Sequence, residues 1–176
     1  MKMTPYRVTL RETAAAILLN AGTIAGQKVY TARSWPSSVE DLPNIYLQVP
    51  IDQGSSLGRS QPGFRRVAYL QIEGRVTGGT PGKVEDTLDL LSGQIEYALM
   101  QDAGFQAQIQ RVTEIDTRIS IDSTGSCHLG TVTIRMGLEF DEYYPPPGTP
   151  LAEITGTMTA NGDAGFAGMQ VATSQD

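Results

Sequence analysis

The stretch Gly78-Gly79-Thr80-Pro81-Gly82-Lys83-Val84-Glu85-Asp86-Thr87-Leu88-Asp89-Leu90-Leu91, running on through Ser92-Gly93-Gln94-Ile95-Glu96-Tyr97-Ala98-Leu99, sets the fold. Val84, Leu88, Leu91, Ile95 and Leu99 recur at intervals of three and four, which places them on one stripe of about four helical turns. Gly78-Gly79-Thr80-Pro81 breaks the preceding element and caps this helix, and Gly104 is expected to close it as a C-terminal cap. A helix with a single apolar stripe is stable only against a second apolar surface.

The flanking segments supply that surface as strands. Upstream, Arg65 to Val76 alternates, with Ala68, Leu70, Ile72, Gly74 and Val76 on one face and Val67, Tyr69, Gln71, Glu73 and Arg75 on the other. Downstream, Val112 to Ile121 reads as a strand, Asp122 to Gly125 as a turn, and Leu129 to Phe140 as its long partner. On that partner Val132, Ile134, Met136, Leu138 and Phe140 share a face opposite Thr131, Thr133, Arg135 and Glu139.

Nearer the N-terminus, Thr4-Pro5 is a helix entry, Thr9 and Glu12 have capping-box spacing, and Asn20-Ala21-Gly22 is a stop. A first helix is expected over residues 5–20, with Val8, Ala15, Leu18 and Leu19 on its apolar side. Short strands follow at Lys28 to Arg33, ended by Pro36, and around Ile45, Leu47 and Val49. Residues 50–63 are polar and rich in Gly, Ser and Gln, so a long loop is expected there.

After Tyr143-Tyr144 the run Pro145-Pro146-Pro147-Gly148 is a stiff break. From Thr149 to Asp176 there is no Lys or Arg and small residues dominate. Such a segment buries too little apolar surface to offset its ordering entropy, so residues 145–176 are expected to form an extended C-terminal arm, flexible or ordered by partners. The expectation is therefore an α+β domain over residues 1–144, with two helices packed on one face of a mostly antiparallel sheet, followed by that arm.

Composition narrows the function classes. A chain of 176 residues suits one domain with a real core. Its formal charge of −6 argues against general nucleic-acid or anionic-membrane binding, which need a basic face. The only local basic grouping is Arg65-Arg66 with Arg59 close by. Cys127 is the sole cysteine, so no intrachain disulfide forms, which fits a reducing compartment. With no signal-peptide core and no apolar run of spanning length, the expectation is a protein made in the cytoplasm without a membrane partner.

Reactive groups are sparse. Cys127 and His128 are adjacent on a strand and point to opposite faces, so they do not form a nucleophile–base pair. Glu114 with Asp116, and Glu139 with Asp141, share strand faces as acid–base or metal-binding carboxylates would, but solvated charge that protects a strand edge accounts for them better. Residues 78–83 lack phosphate-loop spacing, and Pro81 removes a donor that a phosphate would use. No catalytic, cofactor-binding or metal residue is assigned, and no cofactor is expected. Trp35, held by Pro36, reads either as a core or sheet-edge anchor or as an interface anchor.

Val29-Tyr30-Thr31-Ala32-Arg33-Ser34-Trp35-Pro36 followed by Glu40-Asp41-Leu42-Pro43 and an apolar strand, after an N-terminal helix, resembles the tail-terminator proteins of long-tailed bacteriophages, the minor tail protein U type. The resemblance covers residues 5–143; the Pro-rich break and the arm depart from it. It implies a virion protein assembled in the host cytoplasm, whose hexameric ring sits on the last ring of the tail tube. Such a ring ends tube polymerisation and meets a head-completion or neck protein on its other face. Partners would be further copies of itself, the tail tube protein and that neck protein, with no sequence-specific nucleic acid. Arg59 on the loop and Arg65 and Arg66 immediately after it are then candidate docking residues, and Ile154 and Phe166 are candidate anchors on the arm, with Trp35 a further interface candidate. Another neck or head–tail connector protein is the nearest alternative, and an enzyme or small-ligand module using the carboxylate pairs is a more distant one.

Overall fold

The computed structural model describes residues 4–31, 39–59, 62–124, 127–144, 153–160 and 163–172. The chain divides into two compact units, Met1–Tyr144 and Pro145–Asp176. The larger unit is α+β. Strands β1 (Val29–Thr31), β2 (Asn44–Ser56), β3 (Gly63–Gly78), β4 (Arg111–Thr124) and β5 (Cys127–Tyr143) form one sheet in the order β1-β2-β3-β5-β4. All its pairings are antiparallel except β1 with β2. Helices α1 (Tyr6–Asn20), α2 (Pro81–Gln101) and α3 (Ala103–Gln106) complete the unit.

The stripe on α2 packs as its spacing requires: Val84, Leu88, Leu91, Ile95 and Leu99 are all fully buried. They cover Leu70, Ile72 and Val76 of β3 and Val132, Ile134 and Met136 of β5, also buried. Each such side chain contributes about 1.5–3 kcal/mol by leaving water. Two glycines set how closely α2 sits. A Cβ on Gly74 would lie 2.7 Å from Leu91 Cδ2, and one on Gly130 would collide with Val84 and Leu88. Helix and sheet therefore touch backbone-close, and any side chain at these positions would push them apart. Residues of the opposite parity, among them Tyr46, Glu73, Arg75 and Thr133, are half-exposed, so both long helices lie on one face of the sheet.

Several local expectations change. Thr4 does not cap α1; the N-cap position is Pro5, without a side-chain bond, and Val8 N–H donates to the Pro5 carbonyl at 2.9 Å. The buried side of α1 is Leu10, Ala14, Ala15 and Leu18, while Val8 and Leu19 are half-buried. At α2 the cap holds: Thr80 Oγ1 accepts from Lys83 N–H at 3.4 Å and Pro81 opens the helix. Gly104 is not its C-terminal cap. Asp102 ends α2 and its Oδ1 accepts from Phe105 N–H at 2.7 Å, which starts α3 with Gly104 inside. Burial of Phe105 anchors that short turn.

The loop expected over 50–63 is largely strand. Strand β2 continues to Ser56 because its pairing with β3 shifts between Gln48 and Ile51, a bulge that accommodates Pro50, which has no N–H to give. Only residues 57–62 remain as a connection, and 60 and 61 lie outside the described residues. Likewise β4 runs to Thr124 and β5 begins at Cys127, so residues 122–124 of the expected turn are strand, and residues 125 and 126 lie outside the described residues.

In the smaller unit, β6 (Glu153–Ala160) and β7 (Asp163–Ala172) pair antiparallel, with Ile154 opposite Val171 and Ala160 opposite Asp163. This hairpin falls within residues 145–176, the segment expected as an extended arm, flexible or ordered by partners. Residues 161 and 162 between the two strands lie outside the described residues. The stretch also carries Thr155, Thr157 and Thr159, whose β-branched side chains favour strands.

Candidate interaction surface

The sheet outruns its helices. Beyond Ala68 and Leu138 the same face of β2, β3 and β5 carries Asp52, Arg66 and Glu142 where apolar side chains stood before. Arg66 lies at the centre. Its Nε donates to Asp52 Oδ1 at 2.9 Å, and one Nη donates to Glu142 Oε2 at 2.6 Å and to Tyr144 Oη at 3.1 Å. Tyr144 Oη donates to Glu142 at 2.7 Å, and Arg7 of α1 reaches Asp52 at 3.6 Å. The carboxylates, Asp52 first, hold the Arg66 guanidinium above its ordinary pKa, so it is permanently charged. The bond to Glu142 and partial burial raise the Tyr144 hydroxyl in turn. A cleft of about 240 Å³ opens here between Pro5, Tyr6 and this cluster.

On the opposite face Arg65 Nε donates to Asp141 Oδ1 at 3.2 Å, and Gln110 donates to the other oxygen at 2.7 Å. Those two bonds, Arg65 first, lower the Asp141 pKa. Arg65 and Arg66, two of the expected docking residues, thus each meet a carboxylate within the subunit. Arg59 is exposed and makes no ion pair among the described residues. Nearby apolar side chains are also exposed: Ile51, Leu57, Tyr143 and Tyr144.

The carboxylate pairs are divided among arginines. Glu114 meets Arg135 at 3.5 Å and Asp116 meets Arg118 at 2.8 Å. Buried Glu139 takes a two-pronged bond from Arg111, 3.0 Å on each oxygen. Among the described residues no three His, Cys, Asp or Glu side chains gather as metal ligands would. Residues 78–83 serve as the end of β3 and the start of α2, and His128 lies on β5 opposite Gly78 and Ser123. No described helix is long and apolar enough to cross a membrane.

Trp35 lies outside the described residues. Ile154 and Phe166 fall on β6 and β7 of the smaller unit. The sequence reading missed the Asp52–Arg66–Glu142–Tyr144 cluster. Its signal was parity: Arg66 and Glu142 occupy the same alternation as Ala68 and Phe140, so they had to extend the core face.

Among the described residues, each outer edge of the sheet has a strand on one side only. There β1 pairs with β2 from Ile45 to Leu47, and residues 32–38, which follow β1, lie outside the described residues. At the other edge β4 has β5 on one side only. The two edges differ in protection. The β4 edge carries Arg111, Glu114, Asp116 and Arg118 and a bulge between Val112 and Ile115. Past its own bulge, β2 from Ile51 to Ser56 has one charge, Asp52, which is turned to Arg66.

No protein-family model matches this chain, and no curated protein does. Among solved structures, the chain is similar to one from "Virion of native gene transfer agent (GTA) particle". Identity is 12%, the TM-score is 0.39, and the match covers 76% of this chain and 92% of that one.

Proposed function

We propose that this chain is a structural subunit of a phage-like particle that forms a ring on the end of a tail tube. The ring ends tube polymerisation and presents its other face to a head-completion or neck protein. The observation that carries this reading is that, among the described residues, the sheet ends in two unlike edges, β2 from Gln48 to Ser56 on one side and β4 on the other, each with a strand on one side only. Two different surfaces on opposite sides of one subunit support a head-to-tail contact, and such contacts close into rings when the rotation permits. The resemblance to tail terminators over residues 5–143 supplies the tube as the template and six as the ring size.

The reading is supported further by where charge is spent. Carboxylates and arginines neutralise one another across the sheet, which leaves a surface suited to protein contacts. Arg59, exposed in the β2–β3 connection, is the first candidate to meet an acidic partner, with Arg65 and Arg66 following it on β3. Mixing the protein with purified, growing tail tubes tests this reading: electron microscopy is expected to show tubes of fixed length bearing a terminal ring. Arg59→Glu is expected to lengthen the tubes without moving the melting temperature. Unchanged tube lengths with Arg59→Glu would remove Arg59 from the docking surface, and binding to a portal in place of the tube would favour the connector reading.

A further inference from the structure

We infer that the outer face of α2, along Leu90, Gly93 and Tyr97, seats an amphipathic helix of a partner protein that carries a small residue at the crossing and Lys or Arg along its edge. The inference stands apart from the ring reading and does not draw on it.

Helical spacing sets the face. Asp86, Leu90, Gly93 and Tyr97 follow one another at intervals of four, three and four, which places them on the side of α2 opposite its buried stripe. Leu90 is 53% exposed and Tyr97 66%. Single exposed apolar side chains are ordinary; what singles out this pair is the residue between them. Gly93 is exposed in the helix interior, and a Cβ there would meet nothing within 4 Å. Glycine weakens a helix interior relative to alanine, so its place here is not explained by the packing of α2 on the sheet. Gly74 and Gly130, by contrast, make room for α2 itself. Gly93 makes room on the outside, where a second helix can come backbone-close between Leu90 and Tyr97. Tyr97 is also one wall of a groove of about 450 Å³ between α1 and α2, lined with Ile17, Ala21 and Ala98, which can take an apolar side chain of the incoming helix. Strip and groove lie wholly within the described residues.

Charge identifies the occupant. Arginines of α1 and the sheet are matched to carboxylates, Arg7 and Arg66 to Asp52, Arg111 to Glu139 and Arg118 to Asp116. On α2, Glu85, Asp86 and Asp89 are exposed and meet no cation among the described residues, and Lys83 is the helix's one basic residue. Asp86 and Asp89 border the strip, so an incoming helix gains by placing Lys or Arg beside them. A second copy meeting this one through the same face would set those carboxylates against their own counterparts. Nucleic acid or an anionic membrane would meet the same repulsion. A helix with a small residue at the crossing and a basic edge complements the strip in both shape and charge.

The test selects binders of the full chain from a displayed library of helical peptides of about 18 residues, beyond the length at which isolated helices are marginal. Enriched peptides are expected to carry Gly, Ala or Ser at one recurring position with Lys or Arg flanking it. In the nitrogen-15-labelled protein they are expected to shift the amide resonances of residues 86–101 and 17–21. Gly93→Leu is expected to raise the melting temperature by a few degrees while weakening those peptides by about tenfold or more. Asp86→Lys combined with Asp89→Lys is expected to weaken them by about tenfold as well, with the protein still folded. An enriched set without basic residues, shifts confined to other residues, or equal affinity for Gly93→Leu overturns the inference. So does a library that enriches no binder. A melting temperature lowered by Gly93→Leu means that the glycine is packed within the protein, which overturns it too.

Discussion

The two halves of the central sheet are built from the same strands and held by opposite means. Under α2, β3 and β5 present Leu70, Ile72, Val132 and Ile134, all fully buried, and water is excluded by carbon. One or two pleats further on, the same faces carry Arg66, Asp52 and Glu142, and the strands are tied by charge-assisted hydrogen bonds. The first half makes the fold. The second continues the strands past α2, beside the first turn of α1, and holds them in register without a large apolar face. The difference teaches how one sheet can change its means of cohesion along its length: carbon packing under the helix, and charge-assisted hydrogen bonds beyond it.

Breaking the apolar half should cost most. Leu91→Asp places a carboxylate against Gly74 and Val132 with no cation near, a penalty on the order of 3–5 kcal/mol. Small-domain stability is about 5–15 kcal/mol, so the variant is expected to unfold or aggregate near room temperature, read by circular dichroism. An unchanged melting temperature would mean that the α2 stripe faces no core.

The ion-paired half should yield less. Arg66→Met leaves nearly buried Asp52 with only Arg7 at 3.6 Å and strips Glu142 of its cation. The expected loss is about 1–3 kcal/mol by urea denaturation, with the far-ultraviolet spectrum preserved. A loss as large as that of Leu91→Asp would erase the distinction between the halves.

The smallest effect belongs to Arg65 and Asp141 on the opposite face. The folded pKa of Asp141 is depressed by Arg65 and Gln110. Its contribution is therefore complete above the ordinary aspartate pKa of about 3.9 and is lost as pH falls through the folded value. Arg65→Met should flatten the acid side of the stability profile below about pH 4 while changing little at pH 7. Equal slopes in the two proteins would show that the pair carries no linkage.

How much of this was legible in the sequence depends on period. The α2 stripe and the alternating faces of β3 and β5 could be read directly, because apolar residues recur at 3.6 and 2.0 residues. The extension of β2 through Pro50 to Ser56 could not, since Gln53, Gly54, Ser55 and Ser56 look like loop residues and become strand only through pairing with β3. Gly104 looked like a cap, but Asp102 and Phe105 together start a new turn there. Arg65 and Arg66 looked like free basic charge, because their partners Asp141, Asp52 and Glu142 are distant along the chain. The pairing of β6 with β7 was not legible, because small residues dominate from 153 to 172 and few large apolar side chains mark an alternation.

The ring on the tube is tested most directly by counting copies. The full-length protein is added to purified tail tubes, and the number of subunits at each tube end is obtained from the symmetry of end-on electron-microscopy averages. The account predicts a closed ring of six at the end of tubes that have stopped growing. A dimer or trimer at the tube end, or tubes that continue to lengthen with the protein bound, would contradict it.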